Sequence, residues 1–151
     1  MNERYIRQIM IPEIGEAGQE KLKNAKVLIV GIGGLGSPIS LYLTAAGVGQ
    51  IGLIDDDIVS SSNLQRQILY TEAEIGQSKV ECACRRLSAL NSSTRFETYP
   101  NRFTSDNADR LVSAYDIIID GCDNAATRYL IDDVCSRFKK PYVYGSISEF
   151  R

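Results

Sequence analysis

Lys26-Val27-Leu28-Ile29-Val30-Gly31-Ile32-Gly33-Gly34-Leu35-Gly36 is the stretch whose reading decides the fold. Lys26 to Val30 is rich in β-branched residues, the composition of a buried strand. Apolar residues then recur at Leu35, Ile39, Tyr42, Leu43 and Ala46, a 3.6-residue period that predicts a helix over 35–46. Between strand and helix stands a G-x-G-x-x-G turn. Gly31 permits the tight reversal, Gly33 with its neighbour Gly34 lets the backbone approach a phosphate, and Gly36 brings helix close to strand. The unpaired N–H groups of the helix start, with the positive end of its dipole, stabilise an anion there without any lysine. The motif alone is weak evidence. After a strand, before a helix, and with Asp55 closing the next strand, it predicts a nucleotide site. Asp55 is placed to accept hydrogen bonds from ribose hydroxyls, which ATP and NAD both possess, so it does not separate the two.

Outward from this unit, strands and helices alternate. Gln50 to Ile54 reads as a second strand ending in Asp55-Asp56-Asp57, then a polar loop from Val59 to Gln67. A helix is expected from Lys79 to Leu90, with Val80, Cys84 and Leu87 on one face. Arg95 to Tyr99 is a third strand, Asp106 to Ser113 a short helix, Tyr115 to Asp120 an intensely apolar fourth strand, and Tyr142 to Ser146 a fifth. Asp123 and Asn124 mark the start of a long helix whose stripe is Leu130, Val134 and Phe138, with Ile131 and Cys135 beside it. This order predicts an α/β fold, a Rossmann-like doubly wound and mostly parallel sheet with helices on both faces. Ahead of it, Arg4 to Leu22 reads as an amphipathic segment. We therefore expect one ATP-binding domain over 1–151, with an N-terminal helical segment at 1–24 and the core at 25–151.

The chain has 151 residues, the usual size of one domain, with 44% hydrophobic and 24% charged residues, both near globular averages. A formal charge of −2 gives no whole-domain attraction to nucleic acid or to an anionic membrane, so neither is expected as a partner. No apolar run approaches the roughly 20 residues that span a bilayer, and Met1-Asn2-Glu3-Arg4 lacks the apolar stretch of a signal peptide. The expected location is cytoplasmic. Cys82, Cys84, Cys122 and Cys135 show no C-x-x-C spacing and read as reduced, mostly buried thiols. There is no histidine, which removes imidazole acid–base chemistry, histidine triads and histidine metal sites.

Beyond the glycine loop, Ser62-Asn63-Leu64-Gln65-Arg66-Gln67 and Gly76-Gln77-Ser78-Lys79 supply cations and amides at the carboxyl side of the sheet. Taken with Arg4-Tyr5-x-Arg7-Gln8, Asp55 and Cys122-Asp123-Asn124, and in this order, they resemble the ThiF/MoeB/HesA adenylyltransferases, relatives of the ubiquitin-activating enzymes. The resemblance covers essentially the whole chain. It implies that Gly31, Gly33, Gly34 and Gly36 cradle the phosphates of ATP and that Asp55 holds the ribose. It implies that Asn63 and Arg66 hold the phosphate chain, Lys79 the phosphates again, and Asp123 a Mg²⁺ ion. Ser62, Leu64, Gln65, Asp57 and Asn124 are carried as further cofactor-side candidates, and Arg7 would reach into the ATP site of a neighbouring subunit in a homodimer. The implied reaction is adenylylation of the C-terminal glycine of a small ubiquitin-like sulfur carrier ending in Gly-Gly, of the thiamine or molybdopterin type.

That chemistry suits a chain without histidine. A C-terminal carboxylate has a reference pKa of about 3.5 and is ionised at neutral pH, so it needs no general base. Catalysis then rests on Arg7, Arg66, Lys79 and the Asp123-bound ion. Each residue has a plainer reading: Arg66 and Lys79 as solvated cations, Asp123 as a helix cap, Asn124 as a cap compatible with a place beside the nucleotide. Asp56 reads as part of a solvated turn, and Arg7 as an ion-paired anchor of the N-terminal segment. Members of the family commonly continue into antiparallel strands, a loop with a reactive cysteine and C-x-x-C zinc motifs. This chain stops at Ser148-Glu149-Phe150-Arg151, so a truncated C-terminus is expected, with any zinc held in a segment absent here. Two other readings stand beside this one. An NAD-dependent oxidoreductase leaves Arg66, Lys79 and Asp123 without roles, and a non-catalytic nucleotide-binding or dimerisation module keeps the fold without the activity.

Overall fold

The structure is a computed structural model that describes residues 3–147. Five strands form one sheet: β1 Lys26–Val30, β2 Gln50–Ile54, β3 Arg95–Tyr99, β4 Ile117–Asp120 and β5 Tyr142–Tyr144. Their order across the sheet is β3-β2-β1-β4-β5, and every neighbouring pair is parallel. The expected doubly wound plan is present, with the sheet wholly parallel. The helices are α1 Ile6–Ile9, α2 Gly15–Asn24, α3 Gly36–Ala46, α4 Lys79–Leu90, α5 Ser105–Ala114 and α6 Ala125–Phe138. Among the described residues, no helix is long and apolar enough to cross a membrane.

The period-2 alternation of the strands divides the core into two layers. Val27 and Ile29 of β1, with Ile51 and Leu53 of β2, face α3 and α4 and pack on Val80, Ala83 and Leu87. Leu28, Val30, Ile54 and Ile118 face the other way, onto Leu111 and Val112 of α5 and Ile131, Val134 and Cys135 of α6. Leu28 is fully buried, so truncating it to alanine costs about 2–5 kcal/mol.

Several side chains lie elsewhere than their periodicity suggests. The most buried positions of α3 are Gly36, Ser37, Ser40 and Thr44, and the expected Ile39 and Leu43 pack on the core beside them, while Tyr42 is 77% exposed. Small residues let the helix approach closely, and the Ser40 hydroxyl is satisfied by donating to the Ser37 carbonyl at 2.9 Å. On α4, Ala83 rather than Cys84 completes the buried face. On α6 the stripe is Ile131, Val134 and Cys135, and Phe138 at the helix end is exposed. The fourth strand begins at Ile117 because Tyr115 closes α5. Its ring fills the space left by Gly52, and its hydroxyl lies 2.9 Å from that of Tyr99. The fifth strand ends at Tyr144, and the last four residues, on which the expectation of a truncated C-terminus rests, lie outside the described residues.

β1 and β4 are adjacent, and the chain leaves them toward opposite edges of the sheet. In open parallel sheets the crevice at the carboxyl ends of such a pair is where ligands bind. Gly31 shows why the turn needs glycine. Its φ is 87°, and a side chain there would meet the carbonyl oxygen of Gly121, just past β4, at 2.8 Å.

Candidate active site

The carboxyl ends of β1, β2 and β4 open into a cleft of about 600 Å³. Its floor is the glycine loop. The Gly31 N–H is spent on the Ile54 carbonyl at 2.9 Å and the Ile32 N–H on Oδ2 of Asp55 at 2.7 Å, while the Ile32 carbonyl accepts from the Tyr70 hydroxyl at 2.6 Å. Among the described residues, the N–H groups of Gly33, Gly34 and Leu35 have no protein acceptor. These groups face the cleft at the start of α3, a ready anion cradle. Gly36 is buried beneath the loop, where a Cβ would overlap the Gly31 carbonyl, so it serves packing and does not line the cleft.

One wall comes from the connection after β2. This segment closes on itself, with Ile58 bridged to Ser78, the Val59 N–H donating to Gln77 and the Lys79 N–H donating to Asp57. A short 3-10 turn, 61–63, is capped by the Asn63 side chain, whose Oδ1 accepts from the Ser60 N–H at 3.2 Å, leaving its amide nitrogen for the cleft. Arg66 donates to the Ser62 carbonyl at 3.2 Å and to the Gln65 side chain at 3.3 Å, and its chain runs across Gly34. Asn63, Arg66, Asp55, Asp57 and Lys79 thus meet at one cleft. Ser62, Leu64 and Gln65 do not line it. The first and last brace Arg66, and Leu64 packs against the core.

The acids around the cleft are not equivalent. Both carboxylate oxygens of Asp55 are engaged, Oδ2 by Ile32 and Oδ1 by the Asp57 N–H at 2.9 Å. Asp56, read from sequence as solvated, faces Arg102 at 3.4 Å. Asp57 pairs with the buried Lys79 at 3.0 Å. Asp123, exposed on the opposite wall, has no hydrogen-bond or ion-pair partner among the described residues. Mg²⁺ is bound through one or two protein carboxylates plus phosphate oxygens, so the unengaged Asp123 fits that ion better than the committed cluster 55–57. Asn124 lines the same wall and caps α6 by accepting from the Thr127 N–H at 2.9 Å.

Sequence reasoning missed Gln67 as a wall residue and Arg128 altogether. Gln67 is 3% exposed, with its amide nitrogen beside Gly33 and its Oε1 unpaired. It closes the Ser62 to Gln67 run, which was the available signal. Nothing in the sequence marks Arg128, whose partners Asp120 and Cys122 lie across the turn into α6 and Tyr144 and Gly145 on the next strand and beyond. All four cysteines are free. Cys122 lines the cleft, but burial and then the Asp120 carboxylate, 2.8 Å from its sulfur, push its thiol up to about 11, which makes it a poor nucleophile at neutral pH.

Arg7 lies at the other end of the molecule. Gln8 and Gln19 donate to the Ala46 carbonyl at the C-terminus of α3, and Asn91 donates to the Tyr5 hydroxyl. The N-terminal segment is thereby anchored about 16 Å along α3 from the glycine loop. Among the described residues these amides, rather than an ion pair of Arg7, are its anchors, and Arg7 is exposed and does not line the cleft.

The ThiF family model matches residues 5–151. The sulfur carrier protein adenylyltransferase of Thermus thermophilus is 48% identical over 148 residues, covering 98% of this chain and 55% of that protein. The adenylyltransferase and sulfurtransferase MOCS3 of Culex quinquefasciatus is 53% identical over 143 residues, covering 95% of this chain and 33% of that one. The chain thus spans about half or less of the length of these relatives. Among solved structures, the E. coli tRNA N6-threonylcarbamoyladenosine dehydratase TcdA in complex with ATP superposes with a TM-score of 0.87 at 30% identity, over 93% of this chain and 57% of that one. E. coli MccB with MccA-N7isoASN gives 0.83 at 32% identity, over 94% and 43%.

Proposed function

The chain belongs to the ThiF family, and from that premise we propose that it adenylylates the C-terminal glycine carboxylate of a small ubiquitin-like sulfur carrier ending in Gly-Gly. ATP is consumed and pyrophosphate released. The observation that carries this reading is the meeting, in one cleft, of three unpartnered loop N–H groups, Arg66, Lys79 and the unengaged Asp123. That set suits a triphosphate with its metal. An NAD-dependent oxidoreductase would use the glycine loop and Asp55 alone.

The carrier's carboxylate oxygen attacks the α-phosphorus, the bond to the β-phosphate oxygen breaks, and pyrophosphate departs with the electron pair. No proton need move, because the nucleophile is already ionised. The N–H groups of Gly33, Gly34 and Leu35 hold phosphate oxygens, and Arg66 lies across the same loop. Lys79 exchanges Asp57 for phosphate. Asp55 accepts from the ribose through the lone pairs that Ile32 and Asp57 leave open. Asp123 would hold Mg²⁺, which when bound would supply further neutralisation of phosphate charge. Arg7 completes the site of the other subunit in a homodimer, since it lies far from its own. The four free thiols fit a reducing compartment such as the cytoplasm.

ATP–pyrophosphate exchange tests this reading. Exchange that depends on a Gly-Gly carrier supports it, and exchange absent with every such carrier overturns it. Calorimetry separates the rivals: a heat with NADH but none with Mg-ATP favours the oxidoreductase, and no heat with either favours the non-catalytic module.

A further inference from the structure

Asp120 ends β4 just before the cleft-lining Gly121 and Cys122 and is fully buried, a carboxylate for which the chemistry above has no use. A buried charge must be paired and hydrogen-bonded to be tolerated, and Arg128 of α6 supplies the partner. Its Nε lies 2.8 Å from Oδ2 of Asp120, while Oδ1 accepts from the Cys122 N–H at 3.0 Å. The same guanidinium donates through Nη2 to the Cys122 carbonyl at 3.1 Å and to the Gly145 carbonyl at 3.3 Å, and it sits 4.5 Å over the ring of Tyr144. One side chain thereby ties together the end of β4, the turn into α6 and the residues after β5.

The turn it holds is the one that carries the metal-side carboxylate. Cys122 immediately precedes Asp123, and the pair grips Cys122 at both its N–H and its carbonyl. Beyond Asp123, Asn124 is fixed by capping α6. Asp123 is therefore held on both sides by its neighbours while its own carboxylate stays unengaged. We infer that the buried Asp120–Arg128 pair positions Asp123, making Arg128 a positioning residue for metal-dependent nucleotide binding. The inference rests on the reading above that Asp123 faces Mg²⁺. A merely structural ion pair would change stability and leave the metal dependence of binding untouched.

The test is calorimetry on the 151-residue chain, with ATP plus Mg²⁺ and with ATP plus a chelator. Wild type is compared with Arg128→Lys, Arg128→Gln and the control Arg137→Gln, an arginine on the same helix that pairs with Asp109 outside the cleft. Both Arg128 variants are expected to weaken Mg-ATP binding on the order of tenfold, with little change for metal-free ATP and none in the control. Equal losses with and without metal, or no loss, overturn the inference. Wild type that binds ATP no more tightly with Mg²⁺ than without it overturns the magnesium reading itself, a result distinct from any variant's behaviour. Amide hydrogen exchange on the nucleotide-free chain gives a second readout. Arg128→Lys should speed exchange at Cys122 to Asn124 and leave the last turn of α6 unchanged, and unaltered exchange at Cys122 to Asn124 counts against positioning.

Discussion

Oδ2 of Asp55 accepts the Ile32 N–H at 2.7 Å, so the acid that closes β2 also holds the glycine loop that opens α3. Ribose recognition and phosphate recognition are therefore mechanically joined. A hydrogen bond to a charged group contributes about 1.5–3 kcal/mol. Asp55→Ala is expected to lower the melting temperature by several degrees and to weaken ATP binding by more than about tenfold. Asp55→Asn keeps an acceptor for Ile32 but turns its NH2 toward the Asp57 N–H, so it should recover only part of the stability while ATP binding stays weak. Melting curves and calorimetry on the two variants check this, and equal affinity in Asn and wild type would remove the carboxylate from ribose binding.

Tyr70 clamps the same peptide from the other side. Its hydroxyl donates to the Ile32 carbonyl, and burial, reinforced by Asp55, holds the phenol above its ordinary value of 10.0, so it remains a donor throughout the working pH range. Tyr70→Phe leaves a buried carbonyl unpaired at a cost of about 1–3 kcal/mol. A thermal melt should show a loss of about 2–4 °C per kcal/mol. An unchanged melt would mean that the hydroxyl does not restrain the loop.

Lys79 is buried while its partner Asp57 is 67% exposed at the side chain. Lys79→Met keeps the aliphatic stem packed and frees an acid that water can solvate, so the fold should survive. Adenylylation should fall by about 10²–10³, the usual loss when one group that stabilises the reacting phosphates is removed. Steady-state kinetics on a folded Lys79→Met chain check it, and activity near wild type would assign Lys79 to structure.

Burial pushes the thiol of Cys135 up to about 11, as it does, with Asp120, that of Cys122. Their folded pKa values lie above the unfolded ones, so the folded state holds these protons more tightly. The contribution to stability is full below the ordinary thiol value of 9.0 and is lost as pH rises toward 11. Melting temperature should decline across that window, and Cys135→Ala should flatten the decline. A pH-independent melt from 9 to 11 would contradict the assigned burial of these thiols.

The bounds of β1, β2, β3 and α4 could be read from sequence because each is an unbroken apolar or periodic run flanked by breakers. The inward face of α3 could be read only in part: Ile39 and Leu43 do pack on the core, but Ser37, Ser40 and Thr44 beside them pack by being small rather than apolar. Apolar periodicity is blind to that. In the cleft, Asp55, Asn63, Arg66, Lys79 and Asp123 were legible through motif order and do converge. Ser62 and Gln65 belonged to the same run, but turn geometry directs them to Arg66 instead. The Asp120–Arg128 pair joins residues whose relation depends on β4 and α6 packing side by side, and the spacing of motifs does not encode it.

The measurement closest to the central claim is mass spectrometry of a Gly-Gly carrier incubated with this chain and Mg-ATP. The expected result is one adenylyl group on the carrier's C-terminus, released pyrophosphate in equal amount, and no adduct on a carrier lacking its final glycine. A carrier that stays unmodified while the chain binds Mg-ATP would contradict it.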